Sequence, residues 1–223
     1  DRENAGNPDL VPPQTWELAG ETSKELGAWG RARIKLYYQR IDDIIDIVPI
    51  GEDGQSIGNL PRATLFGGEF SSTLLFDPIG WTGAKLDLKL AVTSSRVKDP
   101  LTGETRPISG LGDYSGSLAL RHDIAGTNLA WGGGANLTHY AKNYYLDEVF
   151  RSWEGPVFAS LFVEHKDLFG LTVRASAGNL LGARHIFERV IYNGYRTIAP
   201  VVLIQDQRQV IGPIFTLSIK GNF

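Results

Sequence analysis

Apolar and polar side chains alternate with a period of two residues in one segment of this chain after another. The stretch GAKLDLKLAVTSS places Ala84, Leu86, Leu88, Leu90 and Val92 on one side and Lys85, Asp87, Lys89, Ala91 and Thr93 on the other. The final stretch GPIFTLSIKGNF repeats the pattern. Successive side chains of a β-strand point to opposite faces, so a period of two is typical of strands. The sequence therefore predicts an all-β chain.

About nine such segments follow one another, and each is close to the length that a tilted strand needs to cross a membrane. Alternation alone also fits a soluble antiparallel sheet with one wet face. The polar side, however, carries both signs of charge in mid-strand, whereas the apolar side carries almost none. That difference favours a sheet with one face in lipid.

Short and long connections also alternate along the chain. The short ones read ELGAWG, FDPIGWTG, DIAGTN and KDLFG, and the long ones cover residues 48–62, 96–113, 141–155 and 183–209. Outer-membrane barrels have tight periplasmic turns and large extracellular loops. We therefore predict an antiparallel transmembrane β-barrel over residues 15–223, with residues 1–14 as the remainder of an extracellular loop.

The number of strands bears on how such a barrel closes. With the short turns in the periplasm, the first strand starts outside and the last ends inside, which requires an odd number of strands. Bacterial single-chain barrels normally have an even number, and lipid does not tolerate an open sheet edge. We therefore expect upstream sequence or a second chain to supply the remaining strands.

Composition excludes several classes of function. The chain has 223 residues, a formal net charge of -3 and no cysteine. The near-neutral balance gives no indication of a nucleic-acid partner, and the lack of cysteine excludes disulfides and thiolate metal sites. No run of about 18 apolar residues is present, which excludes a membrane-spanning helix.

Residues capable of chemistry are few. The spacing of His122, His139, His165 and His185 matches no metal motif. The first three lie near strand ends, at positions of the alternation that belong to the apolar side. A lipase-type serine on the lipid-facing wall would have to be Ser94, and nothing in the sequence orients a histidine toward it. We predict no enzyme, no metal and no cofactor. The glycines of WGGGAN are better explained by strand bending or by large neighbours than by a nucleotide loop.

An acidic segment lies at the top of the second strand. RIDDIIDIVPIGEDG contains Asp42, Asp43, Asp46, Glu52 and Asp53. Such residues form either a solvated loop or a site for divalent cations or a ligand.

Several stretches taken together resemble the C-terminal part of TonB-dependent outer-membrane receptors. NPDLVPPQTWELAGETSKEL resembles the entry to that half, RIKLYYQRIDDIIDIVP and NLPRATLFGGEFSSTL resemble its next two strands, and LTVRASAGNLLGARHIFER resembles its penultimate strand. The terminal Phe223 resembles the signal that the barrel assembly machinery reads. The plug domain, the TonB box and the early strands of that family have no counterpart here.

The resemblance implies about nine C-terminal strands of a barrel of about 22 strands, in the bacterial outer membrane. It implies active uptake of a scarce ligand, by family frequency a ferric siderophore or a similar metal chelate. The implied partners are an N-terminal plug, the remaining strands, the TonB energy-transducing complex, the assembly machinery and outer-membrane lipid. A passive porin, a purely structural barrel and a soluble β-domain remain as alternatives.

Two sets of residues are candidates for function. Aromatic and arginine side chains in the long loops suit a ligand with flat, polar groups, although they also suit an interfacial girdle: Tyr144, Tyr145, Arg151, Trp153, Arg189, Tyr192, Tyr195 and Arg196. Ten charged residues occupy polar positions of the period-two alternation, and we therefore assign them to the lumen: Arg31, Arg33, Lys35, Glu69, Lys85, Asp87, Lys89, Arg121, Asp123 and Arg174.

Overall fold

The computed structural model describes residues 4–5, 7–51 and 54–221. In chain order the strands are β1 (Asn4–Ala5), β2 (Gln14–Glu25), β3 (Gly30–Ile50), β4 (Gly54–Leu75), β5 (Ala84–Lys98), β6 (Thr105–Arg106), β7 (Gly112–Asp123), β8 (Leu129–Tyr140), β9 (Asn143–Tyr144), β10 (Glu148–Gly155), β11 (Phe158–Leu168), β12 (Leu171–Gly178), β13 (Arg184–Tyr192), β14 (Val201–Val210) and β15 (Ile214–Lys220). Short 3-10 helices occupy Gly27–Trp29 and Asp77–Ile79. No helix among the described residues is long and apolar enough to cross a bilayer.

Nine strands form one antiparallel wall. Their order is β15-β12-β11-β8-β7-β5-β4-β3-β2, so each strand pairs with its neighbour along this meander. The two 3-10 helices lie in tight turns, and the glycines Gly27 and Gly80 provide the positive φ that these turns require. Among the described residues the sheet does not close, because β2 and β15 form its two edges. The predictions of an all-β antiparallel fold and of about nine strands are confirmed.

The register of the wall separates an apolar face from a polar one. One row across six strands consists of Thr22, Ile34, Phe70, Leu90, Gly116 and Leu137. Apolar side chains on this face are well exposed: Leu36 is 53% exposed, Val163 61% and Leu217 67%. Exposed apolar surface on this scale marks a contact with lipid or protein. We call it the apolar face, and the opposite side the polar face.

A second sheet extends the wall at the long-connection end. Its strands follow the order β14-β13-β10-β9. β10 precedes β11, β13 follows β12, and β14 precedes β15, so three wall strands each have a neighbour in the upper sheet. Asn179 stabilises the junction between the two sheets. It is buried at φ 54°, and its amide donates to the carbonyls of Ala183 at 2.9 Å and Gly212 at 3.0 Å.

The structure corrects the extent of the four long connections. Residues 48–62 belong largely to β3 and β4, which form one tall hairpin. Residues 141–155 contain β9 and β10, residues 183–209 contain β13 and β14, and part of 96–113 is strand as well. The sequence signal in these stretches was obscured because both faces of the upper strands carry a mixture of polar and apolar side chains.

The glycines of WGGGAN accommodate large neighbours, as predicted. A Cβ on Gly132 would lie 2.7 Å from the ring of Phe162 and 2.2 Å from the carbonyl oxygen of Leu120. A Cβ on Gly133 would lie 2.5 Å from the side chain of Leu161. Gly132 therefore leaves room for Phe162 on the polar face, and Gly133 leaves room for Leu161 on the apolar face.

The substitution Gly132→Ala is expected to destabilise the fold by about 1–3 kcal/mol, the cost of overpacking a filled site. The contact with the backbone of β7 cannot be relieved by a change of rotamer. Urea unfolding of the intact receptor in detergent measures the effect. Gly20→Ala is the matched control, since a Cβ there meets nothing within 4 Å. Equal losses in the two variants would contradict this explanation.

Candidate functional site

The ten charged residues predicted to face the lumen all lie on the polar face. Cross-strand pairs connect them directly, as with Lys35 and Glu69, and with Lys85 and Arg121. Several form ion pairs: the guanidinium of Arg33 lies 2.5 Å from Glu21, and the ammonium of Lys85 lies 3.6 Å from Asp87. Residues directly opposite each other in a sheet share a face, so the register places these charged residues on the same side of the wall.

A group of charged side chains on the polar face surrounds Phe162. The Arg121 guanidinium donates to Asp123 at 2.9 Å and to Glu164 at 2.7 Å. The guanidinium of Arg174 lies 3.6 Å from the centroid of the Phe162 ring. The group thus combines charge pairs with a cation–π contact and fixes the side chains of β7, β11 and β12 relative to one another.

Above the polar face, four charged residues connect the long connections. We call Asp46, Asp99, Arg106 and Arg196 the loop clasp. The side chains of Asp46, Asp99 and Arg106 are at most 7% exposed, and that of Arg196 is 11% exposed. Arg106 lies 2.6 Å from Asp99 and 2.8 Å from Asp46, and Arg196 also pairs with Asp99. Buried charges need such partners, so the clasp joins connections far apart in sequence.

Aromatic residues of the ligand set pack against the clasp. The ring centroid of Tyr144 lies 4.8 Å from the guanidinium carbon of Arg106 and 5.7 Å from that of Arg196. The Arg196 guanidinium also donates to the backbone carbonyl of Tyr145 at 3.0 Å. The Tyr195 hydroxyl donates to the carbonyl of Gly54 at 2.9 Å. The structure thus brings these tyrosines and Arg196 together at one site.

The pKa of the Asp99 carboxyl group reflects the charges that surround it in the loop clasp. Burial by itself raises the pKa of this carboxyl group, but the backbone N–H of Thr102 and the guanidinium groups of Arg106 and Arg196 outweigh it. The resulting pKa lies below its ordinary value. Asp99 therefore remains ionised under mildly acidic conditions.

The loop clasp is accordingly expected to persist at pH 5 and to loosen only below about pH 4. A carboxyl group whose pKa is lower in the folded state contributes its full stability above the unfolded pKa of about 3.9 and loses it as the pH falls through the folded pKa. Spin labels on cysteines introduced at Glu104 and Thr197 report the separation by pulsed EPR. A broad distance distribution already at pH 5 would contradict the assignment.

The other ligand candidates divide between the two faces of the upper sheet. Arg151 and Trp153 lie on the side of the apolar face, since both contact His139, which pairs with the exposed Tyr114. Arg151 also lies 2.7 Å from Glu188. Arg189 lies on the opposite face, where it donates to the carboxylate of Glu148 at 2.8 Å. Tyr192 pairs across the β13–β14 hairpin with Val201. The eight candidates therefore do not form one cluster.

Of the clasp residues, Asp46 was a sequence candidate only as part of the acidic segment, and Asp99 and Arg106 were not identified as functional from the sequence. The only signal was charge on both sides of the turn DPLTGETR. Asp42 and Asp46 do not converge, because Asp42 pairs with Arg40 and Arg62 whereas Asp46 pairs with Arg106. In the part of the chain that the structure describes, no three His, Asp or Glu residues could hold a metal. Glu52, Asp53 and Phe223 lie outside the described residues.

The histidines show no catalytic arrangement. His122 accepts a hydrogen bond from the indole of Trp131 at 3.0 Å, and His139 stacks on Tyr114. A serine–histidine contact that the sequence did not indicate joins Ser152 and His185 at 2.9 Å. Within residues 7–51 and 54–221, no hydrogen bond orients the other ring nitrogen of His185, so the third member of a triad is missing there.

Comparison with known proteins agrees with this geometry. The family model described as TonB dependent receptor-like, beta-barrel, matches residues 2–180. No curated protein matches the chain. The matched family consists of outer-membrane transporters and is not an enzyme family. The matched range contains eight of the nine wall strands and the residues of the Phe162 group. The chain therefore belongs to the TonB-dependent receptor β-barrel family.

Proposed function

We propose that this chain forms the C-terminal wall and several extracellular loops of an outer-membrane receptor for the active uptake of a ferric siderophore or a similar metal chelate. Residues 15–223 supply barrel strands and residues 1–14 the end of an extracellular loop. The remaining strands and a plug domain come from upstream sequence or from a second chain, and the TonB complex supplies energy through that part. Phe223 serves as the residue that the assembly machinery recognises.

One observation carries this proposal: a single sheet has one exposed apolar face and one charged face, and the long connections converge above the charged face. Family membership supports assigning the apolar face to lipid and the polar face to a lumen filled by the plug. The ten charged residues of the polar face then pair with one another or with the plug. Ligand capture by the loops alters the contacts of the plug.

The ligand surface is proposed to consist of Tyr144, Tyr145, Arg189, Tyr192, Tyr195 and Arg196. Their rings and guanidinium groups suit flat, negatively charged chelates. Arg151 and Trp153 are also candidates from the sequence, but they lie on the outward side of the upper sheet, where a ligand in the lumen would not contact them. The proposal therefore rests on Tyr144, Tyr145, Tyr195 and Arg196 around the clasp, on Arg189 on the face opposite Arg151, and on Tyr192, which pairs with Val201.

Uptake of iron-55 chelates by iron-starved cells tests the proposal. Cells that express the intact receptor should accumulate one chelate, and a protonophore should abolish this uptake. Arg189→Ala should raise the apparent Kd for that chelate at least fivefold, whereas Arg208→Ala, at an exposed arginine of the neighbouring strand, should leave it unchanged. Accumulation that persists with the protonophore would instead indicate the passive channel.

A further inference from the structure

We propose that a basic strip on the apolar face, formed by Arg40, Arg62, Arg96 and Lys98, binds the phosphate groups of a phosphorylated glycolipid in the outer leaflet. The strip lies at the upper border of the apolar face, on β3, β4 and β5. This site is separate from the ligand surface above the polar face and does not depend on which chelate is transported.

The register places these cations on the outward side. Trp16, Arg40, Thr64 and Arg96 form one row across β2–β5, because each is the direct partner of the next. Gln14, Asp42 and Arg62 form the next row above it. Lys98 follows Arg96 by two residues on β5 and so has the same parity. Neighbouring strands are about 5 Å apart, so Arg40 and Arg96 lie roughly 10 Å apart, within reach of one headgroup.

The strip has an excess of positive charge. Among the described residues, the one carboxylate that forms ion pairs with the strip is Asp42, which accepts from Arg40 at 3.0 Å and from Arg62 at 3.1 Å. Across residues 7–51 and 54–221, neither Arg96 nor Lys98 forms an ion pair, and both are exposed. Four cations against one carboxylate leave a surface that is complementary to phosphate. Arginine binds phosphate through paired N–H donors.

The level of the strip matches that of lipid headgroups. Trp16, which is 70% exposed, lies in the same row as Arg40 and Arg96. Tyr38 and Phe66, which are 45% and 57% exposed, form the row directly below. Tryptophan and tyrosine concentrate at the boundary between hydrocarbon and headgroups. Below them the apolar face continues through Leu36 and Val92. Cations immediately above an aromatic boundary meet headgroup phosphates, and each is expected to strengthen binding to an anionic lipid surface.

Native mass spectrometry of the intact receptor in detergent, titrated with bisphosphorylated lipid A and with fully dephosphorylated lipid A, tests this inference. We expect the phosphorylated form to bind at least tenfold more tightly. The double variant Arg62→Gln/Arg96→Gln should weaken its binding by roughly tenfold to thirtyfold. The control Lys24→Gln/Lys220→Gln removes equal charge near the short turns and should change binding less than twofold.

The variant Asp42→Asn separates lipid binding from folding. Removing the carboxylate that pairs with Arg40 and Arg62 should tighten the binding of phosphorylated lipid A, a gain that a misfolded barrel could not produce. Equal binding of the two lipid forms would overturn the inference. So would equal losses in the strip variant and the control, or weaker binding by Asp42→Asn.

Discussion

An arginine in place of Leu90 is expected to lower the free energy of unfolding of the membrane-inserted barrel by about 2–4 kcal/mol, the cost of that side chain near the bilayer midplane. Leu90 lies halfway along β5 on the apolar face and is 46% exposed. In lipid the guanidinium would lose its hydration without gaining a partner. Denaturant unfolding of the intact receptor in liposomes measures the change.

The neighbouring residue supplies the control. Ala91 lies on the polar face between its cross-strand partners Glu69 and Ser115. Ala91→Arg adds the same side chain one position away, where a carboxylate is its neighbour, and should cost much less. If Ala91→Arg were the more damaging of the two, the assignment of the faces would be reversed.

We call the long connections above the polar face (residues 96–113, 141–155 and 183–209) the crown. Replacing Asp99 by alanine should separate the parts of the crown from one another without unfolding the wall. Arg106 and Arg196 would lose the carboxylate that both contact. Arg106 would keep its ion pair with Asp46, whereas Arg196 would have no other ion-pair partner among the described residues. Breaking a buried ion pair in this way costs about 3–5 kcal/mol, because the remaining charge is not compensated. Amide exchange in residues 105–110 and 193–200 should therefore accelerate roughly a hundredfold or more, while exchange in β7 and β8 stays unchanged.

Asp206→Ala is the matched control for the clasp. Asp206 pairs with Arg208 at 3.3 Å, but both side chains are more than half exposed. Exposed pairs contribute little, so amide exchange in the crown should not change. If Asp99→Ala left the exchange of residues 193–200 unaltered, the clasp would not hold the connections together. Acceleration that extended into β7 would instead assign Asp99 to global stability.

The wall could be predicted from the sequence because lipid imposes a strict rule on it. Each wall strand must present apolar side chains to one side, so the alternation in GAKLDLKLAVTSS fixes both the strand and its faces. The same alternation assigns charged residues such as Arg33 and Lys89 to one side of the strands, and this assignment does not depend on the structure of the loops. Three consecutive glycines also indicated that the strand bends or accepts large neighbours, and Gly132 and Gly133 leave room for Phe162 and Leu161.

The crown could not be predicted in this way. Above the membrane both faces of a strand can be wet, so period-two alternation weakens and β13 and β14 were interpreted as loop. The clasp depends on contacts between residues distant in sequence, such as Asp99 with Arg196 and Asp46 with Arg106. No local pattern encodes such a pairing. The opposite placement of Trp153 and Arg189 depends on the register of β10 and β13, which composition does not reveal.

The central claim is that the apolar face contacts lipid while the polar face does not. Single cysteines at each position from Leu86 to Val92 test it directly, since this stretch of chain has no cysteine of its own. Spin labels in the intact receptor in liposomes should show high accessibility to oxygen at residues 86, 88, 90 and 92 and low accessibility at 87, 89 and 91. Uniform accessibility along β5, or the inverse alternation, would contradict the account.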